Sequence, residues 1–104
     1  MTANAVIFLG DNPTMQTDNN SVYSAIAMKD SNWYLLLNGY ALQSGAIAQS
    51  KKTITGIQRM MKKLGIPHIR IRVECDDGNS DVSRSGKKDF TMKEAMDYIF
   101  KFGA

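Results

Sequence analysis

The sequence predicts an α+β domain: an antiparallel sheet of four to five strands with two helices packed on one face. Three observations carry that expectation. Ile66 to Cys75 alternates apolar and polar residues with period two, the mark of a half-buried strand. Thr91 followed three residues later by Glu94, ahead of an apolar run, forms a capping box that opens a helix. Asn38-Gly39 between apolar segments matches a two-residue type I′ hairpin turn, because both residues accept a positive φ.

The elements then follow in order. Ala5 to Leu9 is apolar throughout and short, as a strand buried on both faces would be. Gly10-Asp11-Asn12-Pro13 breaks it, and the polar run to residue 21 reads as a loop longer than usual connections. Val22 to Met28 reads as a second strand, Lys29-Asp30-Ser31-Asn32 as a turn, and Trp33 to Leu37 as a third strand. The Asn38-Gly39 turn would return the chain through Tyr40 to Gln43, closing a three-stranded meander. Ser50 or Thr53 caps a helix running to about Leu64, with Ile54, Ile57, Met60, Met61 and Leu64 on one side. Gly65 and Pro67 end that helix.

Along the next strand Ile69, Ile71, Val73 and Cys75 point one way, and His68, Arg70, Arg72 and Glu74 point the other. Asp76-Asp77-Gly78-Asn79 is a turn, Ser80 to Ser83 a short return strand, and Ser85 to Lys88 a loop. The capping box opens the last helix, with Phe90 placed to staple onto Ala95. Met92, Ala95, Met96, Ile99, Phe100 and Phe102 make its apolar stripe. The 104 residues suit one domain, with no internal repeat or linker.

Net charge is +3, but the charges are segregated. Residues 1–50 sum to −2, residues 51–72 carry seven cations and no acid, and residues 73–83 sum to −4. A surface bearing the middle block would attract phosphate over about 8–10 Å at cellular salt. Within it, Arg59, Lys62 and Lys63 lie on the solvent side of the helix, while His68, Arg70 and Arg72 share one strand face. A guanidinium can hold a phosphate through two parallel hydrogen bonds or stack on a base. Whether the two sets meet depends on packing, since a helix and a sheet normally join through their apolar faces.

Other chemistries find less support. Asp77-x-Asn79-x-Asp81 is similar to the opening of a calcium loop, but Val82 and Lys88 stand where that loop needs Gly and Glu. One His and one Cys do not complete a four-ligand zinc site, so no metal and no cofactor are expected. No nucleophile elbow, P-loop or dinucleotide fingerprint is present. No apolar run approaches the 18 or so residues of a membrane span. Nor does a basic segment precede the first apolar stretch as in a secretory leader. The single Cys75 does not require an oxidising compartment, which favours a cytoplasmic setting.

Asn32-Trp33-Tyr34, Asn38-Gly39 and Lys51-Lys52-Thr53 together are similar in outline to small three-strand-plus-helix domains of the integrase arm-binding type. Those domains carry cations on the exposed sheet, whereas Val22 to Gln43 holds only Lys29, so no function is carried across. Two function classes follow from the residues. The first is a non-enzymatic nucleic-acid-binding protein acting through Arg59, Lys62, Lys63, His68, Arg70 and Arg72. The second is a protein-binding module, such as a small inhibitor or adaptor, acting through exposed sheet aromatics (Trp33, Tyr34, Tyr40) or an edge strand.

Overall fold

Three strands, three helices, three more strands and a last helix follow one another in the computed structural model, which describes residues 5–9 and 24–103. In chain order they are β1 (Ala5–Leu9), β2 (Ser24–Lys29), β3 (Asn32–Asn38), α1 (Gly39–Gln43), α2 (Ala46–Gln49) and α3 (Lys51–Leu64). There follow β4 (Ile69–Cys75), β5 (Gly78–Asp81), β6 (Asp89–Phe90) and α4 (Met92–Phe100). The loop expected over 10–21 and the start expected for the second strand at Val22 lie outside the described residues.

The fold is α+β, but the sheet is mixed rather than antiparallel. Its order is β1-β2-β3-β4-β5, with β6 also pairing β4. β1, β2 and β3 form the antiparallel meander, so the meander begins one strand earlier than the sequence suggests. β3 and β4 then run parallel, with Leu35 opposite Ile71 and Leu37 opposite Val73. Parallel neighbours need a crossover connection. Here α1, α2 and α3 supply it.

That crossover begins where a hairpin was expected. Asn38 has extended backbone (φ −66°, ψ 124°), and its side chain accepts a hydrogen bond from the Ala41 N–H at 2.9 Å. It is therefore an N-cap, a role in which Asn ranks with the best residues. Tyr40 to Gln43 form α1 instead of a fourth meander strand. Ala, Leu and Gln are good helix formers, and the consecutive burial of Ala41 and Leu42 does not suit a strand's alternation. The resemblance to three strands plus a helix fails at the same point.

α3 follows expectation closely. The Ser50 hydroxyl accepts from the Thr53 N–H at 3.1 Å, and Thr53, Ile54, Ile57 and Met61 are buried. Gly65 at φ 67° closes the helix in a Schellman motif, donating to the Lys62 carbonyl while Ile66 donates to that of Met61. The β4–β5 hairpin turns tightly through Asp76 and Asp77, so the return strand starts at Gly78 rather than Ser80. α4 carries both halves of its capping box, Thr91 N–H to Glu94 Oε1 at 2.9 Å and Glu94 N–H to Thr91 Oγ1 at 3.2 Å. Its buried face is Ala95, Met96 and Ile99. Phe100, expected in the apolar stripe, is 44% exposed.

One continuous core lies between the sheet and the helices. Ile26, Leu35, Leu37, Ile69, Ile71 and Val73 project from the sheet to meet Leu42, Ile47, Ile57, Met61, Met96 and Ile99. All the helices therefore cover the same face. The residues alternating with these strand positions, including Tyr34, Arg70 and Arg72, occupy the other face.

Candidate nucleic-acid interface

α3 buries Thr53, Ile54, Ile57 and Met61, which turns Lys51, Lys52, Arg59, Lys62 and Lys63 toward solvent. Lys62 and Lys63 in the last turn complement the helix dipole, but Lys51 and Lys52 in the first turn oppose it, with no acidic residue there to compensate. Among the described residues, Lys51, Arg59, Lys62 and Lys63 have no ion-pair partner. Ion pairs are concentrated elsewhere, although Lys29, Lys88 and Lys101 also make none with a described residue. Arg70, Arg72, Arg84, Lys87 and Lys93 each meet a carboxylate at 3.4 Å or less.

Arg70 and Arg72 leave β4 on the face opposite α3, as the period-two alternation requires. The Arg72 Nε and Nη2 donate to the two carboxylate oxygens of Asp81 at 2.6 and 3.2 Å, and its guanidinium lies 4.7 Å above the Tyr34 ring. The hydrogen bond from Arg72 holds the Asp81 carboxyl below its ordinary range. Arg70 donates to Asp89 at 3.3 Å, and the Tyr34 hydroxyl and then Asp89 raise its already high pKa. Both guanidiniums therefore tie β4 to its neighbouring strands. They do not form one surface with Arg59, Lys62 and Lys63.

His68 stands apart from both sets. It is exposed at the start of β4, in the connection that leaves the last turn of α3. Because β3 and β4 are parallel, their N-terminal ends lie together at this end of the sheet, along with the β2–β3 turn. An open cavity of about 440 Å³ sits there, lined by Ser31, Asn32, Trp33, His68, Lys87 and Asp89.

The three aromatics expected on an exposed sheet are dispersed. Tyr34 is buried at 7% exposure beneath Arg72, and Trp33 is half-buried against the core. Tyr40 is 67% exposed, but it belongs to α1, where its hydroxyl donates to Asp76 at 3.5 Å. Cys75 is half-buried as a free thiol beside Gly39. Among the described residues no group of three or more His, Cys, Asp or Glu side chains could hold a metal ion. No described helix is long and apolar enough to cross a membrane.

The cavity end is the feature that sequence reasoning missed. Ser31, Asn32 and Lys87 fall in segments read as turn or loop and Asp89 in none that was assigned, and only the pairing of β4 with β3 and β6 assembles them. No family model, curated protein or solved structure matches this chain.

Proposed function

We propose that this chain is a non-enzymatic nucleic-acid-binding protein whose phosphate-binding surface is the outer face of α3. One observation carries the reading: Lys51, Arg59, Lys62 and Lys63 lie exposed along one helix with no ion-pair partner among the described residues, while five of the cations elsewhere are paired. Exposed side chains of one sign, released from internal ion pairs, are what a polyanion can neutralise, with release of counterions. The two lysines of the first turn add to it, because they oppose the helix dipole and so serve the helix poorly. Arg70 and Arg72 are left out of this surface on account of their engagement with Asp89 and Asp81. The single thiol suits the reducing cytoplasm.

The protein-binding alternative has less to stand on. Of the aromatics that would form its contact surface, only Tyr40 is exposed. The all-exposed edge strand β5 is its remaining support.

Fluorescence anisotropy with labelled single-stranded and duplex oligonucleotides, at low and physiological salt, tests the proposal. Affinity should fall with salt at a log–log slope of about −0.7 per neutralised phosphate on single strands and −0.9 on duplex DNA. The triple substitution Arg59→Gln, Lys62→Gln, Lys63→Gln should flatten that slope by about two to three phosphate equivalents. It should leave the fold intact, since all three side chains are exposed. Arg72→Gln should instead lower stability and leave the slope nearly unchanged. No binding to any oligonucleotide at low salt would overturn the reading.

A further inference from the structure

The cavity at the N-terminal ends of β3 and β4 combines features that neither the core nor the α3 surface explains. It is open, and its volume of about 440 Å³ lies within the range of small-ligand sites. Its lining mixes an aromatic ring (Trp33), an imidazole (His68), an ammonium (Lys87), an amide (Asn32) and a carboxylate (Asp89). Asp89 is anchored through Oδ1 to Arg70, and Lys87 through its ammonium to both oxygens of Glu94 at 3.2 Å. Two of the walls are therefore pre-organised by contacts outside the cavity. A third wall is fixed by a tight hairpin turn. The β2–β3 turn places Asp30 at φ 51° and Ser31 at φ 67°, in the left-handed region where glycine is cheaper, and Ser31 lines the cavity.

The cavity is joined to α3 by a short stretch of chain, which at full extension keeps the Lys63 and His68 Cα atoms within about 18 Å of each other. The last turn of α3 holds Lys62 and Lys63, and only residues 64–67 separate Lys63 from His68. A span of that length corresponds to a few nucleotides of an extended single strand.

We propose that this cavity receives one unstacked base of a single-stranded nucleic acid whose backbone lies along α3, an inference that rests on the nucleic-acid reading of α3. Trp33 and His68 offer ring surface, the sequence-tolerant element of single-strand recognition. The Asn32 amide can donate to and accept from a base edge, and the Asp89 carboxylate can accept from an exocyclic amine. A base inside a duplex is stacked and paired and cannot enter. The site therefore makes the protein prefer single strands, which the α3 cations by themselves would not.

Trp33 is the only tryptophan in the chain, so its fluorescence reports on this cavity directly. Titration of the 104-residue chain with a short oligothymidylate should quench Trp33 saturably, while a duplex of equal length should bind without comparable quenching. His68→Ala removes an exposed side chain and should leave folding untouched, whereas Trp33→Ala disturbs the core and is avoided. Base–aromatic stacking is worth about 1–3 kcal/mol per base, so His68→Ala should weaken single-strand binding at least about fivefold and leave duplex binding unchanged. Single-strand binding by anisotropy without Trp33 quenching, or with full affinity retained in His68→Ala, would overturn the cavity assignment and leave the α3 reading in place. Absence of binding to either oligonucleotide at low salt overturns both.

Discussion

Replacing Gly39 by alanine tests how tightly the start of α1 is seated on the end of β4. Gly39 is buried, and it is not among the glycines with positive φ, so its backbone does not itself demand glycine. What demands it is space. A Cβ built there would collide with the Cys75 sulfur and lie 3.1 Å from the Glu74 carbonyl oxygen and 3.4 Å from Val73 Cγ1. Ordinary carbon contacts sit near 3.5–4.0 Å, so the thiol must move or α1 must lift from β4. Overpacking of this kind costs about 1–3 kcal/mol, and the better helix propensity of alanine offsets at most about 1 kcal/mol. The net loss is about 1–2 kcal/mol. In a domain near 100 residues each kcal/mol lowers the melting temperature by about 4–8 °C, so Gly39→Ala should melt about 5–15 °C lower. Cys75→Ala removes the atom responsible. Thermal and denaturant melts under reducing conditions should show that Gly39→Ala costs at least about 1 kcal/mol less in the Cys75→Ala background than alone. Additivity within about 0.5 kcal/mol would refute the argument, because the two sites would then not share a contact.

Three further outcomes follow from the fold. Ile99→Ala should cost about 2–5 kcal/mol in denaturant melts and Phe100→Ala less than about 1, since Ile99 is fully buried and Phe100 is 44% exposed; equal losses would place the core on a different face of α4. The Asp81 carboxyl is held low by Arg72, so its contribution is complete above its unfolded pKa near 4 and is lost as pH falls through the lower folded value. Asp81→Asn should therefore be less stable at neutral pH and lose less on acidification below about pH 4; curves that stay parallel to pH 2 would contradict the pairing. Ser31→Gly should raise stability by about 0.5–1 kcal/mol by relieving the left-handed turn, and a loss of stability would show that Ser31 is not strained there.

Signals confined to a few neighbouring residues were legible in the sequence. Ser50 and Gly65 bracket α3, Thr91 and Glu94 open α4, and the alternation from Ile69 to Val73 identifies a half-buried strand and the outward side of Arg70 and Arg72. Each depends on hydrogen bonds or side-chain periodicity within one or two turns, so the local chain determines it. Asn38-Gly39 shows where that ends. The same short amide can hold a hairpin turn or cap a helix, and the choice fell to the burial of Ala41 and Leu42 in a core shared with β4, about thirty residues further along the chain. Phe100 and Ile99 are adjacent apolar residues on one helix, and only its docking on β4 and β6 decides which of them is buried. Tertiary packing likewise separated the cations of residues 51–72. α3 and β4 both turn their apolar faces into the one core, α3 over β1 and β2, so the polar faces of the two elements diverge. The parallel alignment of β3 with β4 then brought Trp33 and His68 to one end of the sheet, a meeting set by strand pairing over a long crossover and invisible to any local pattern.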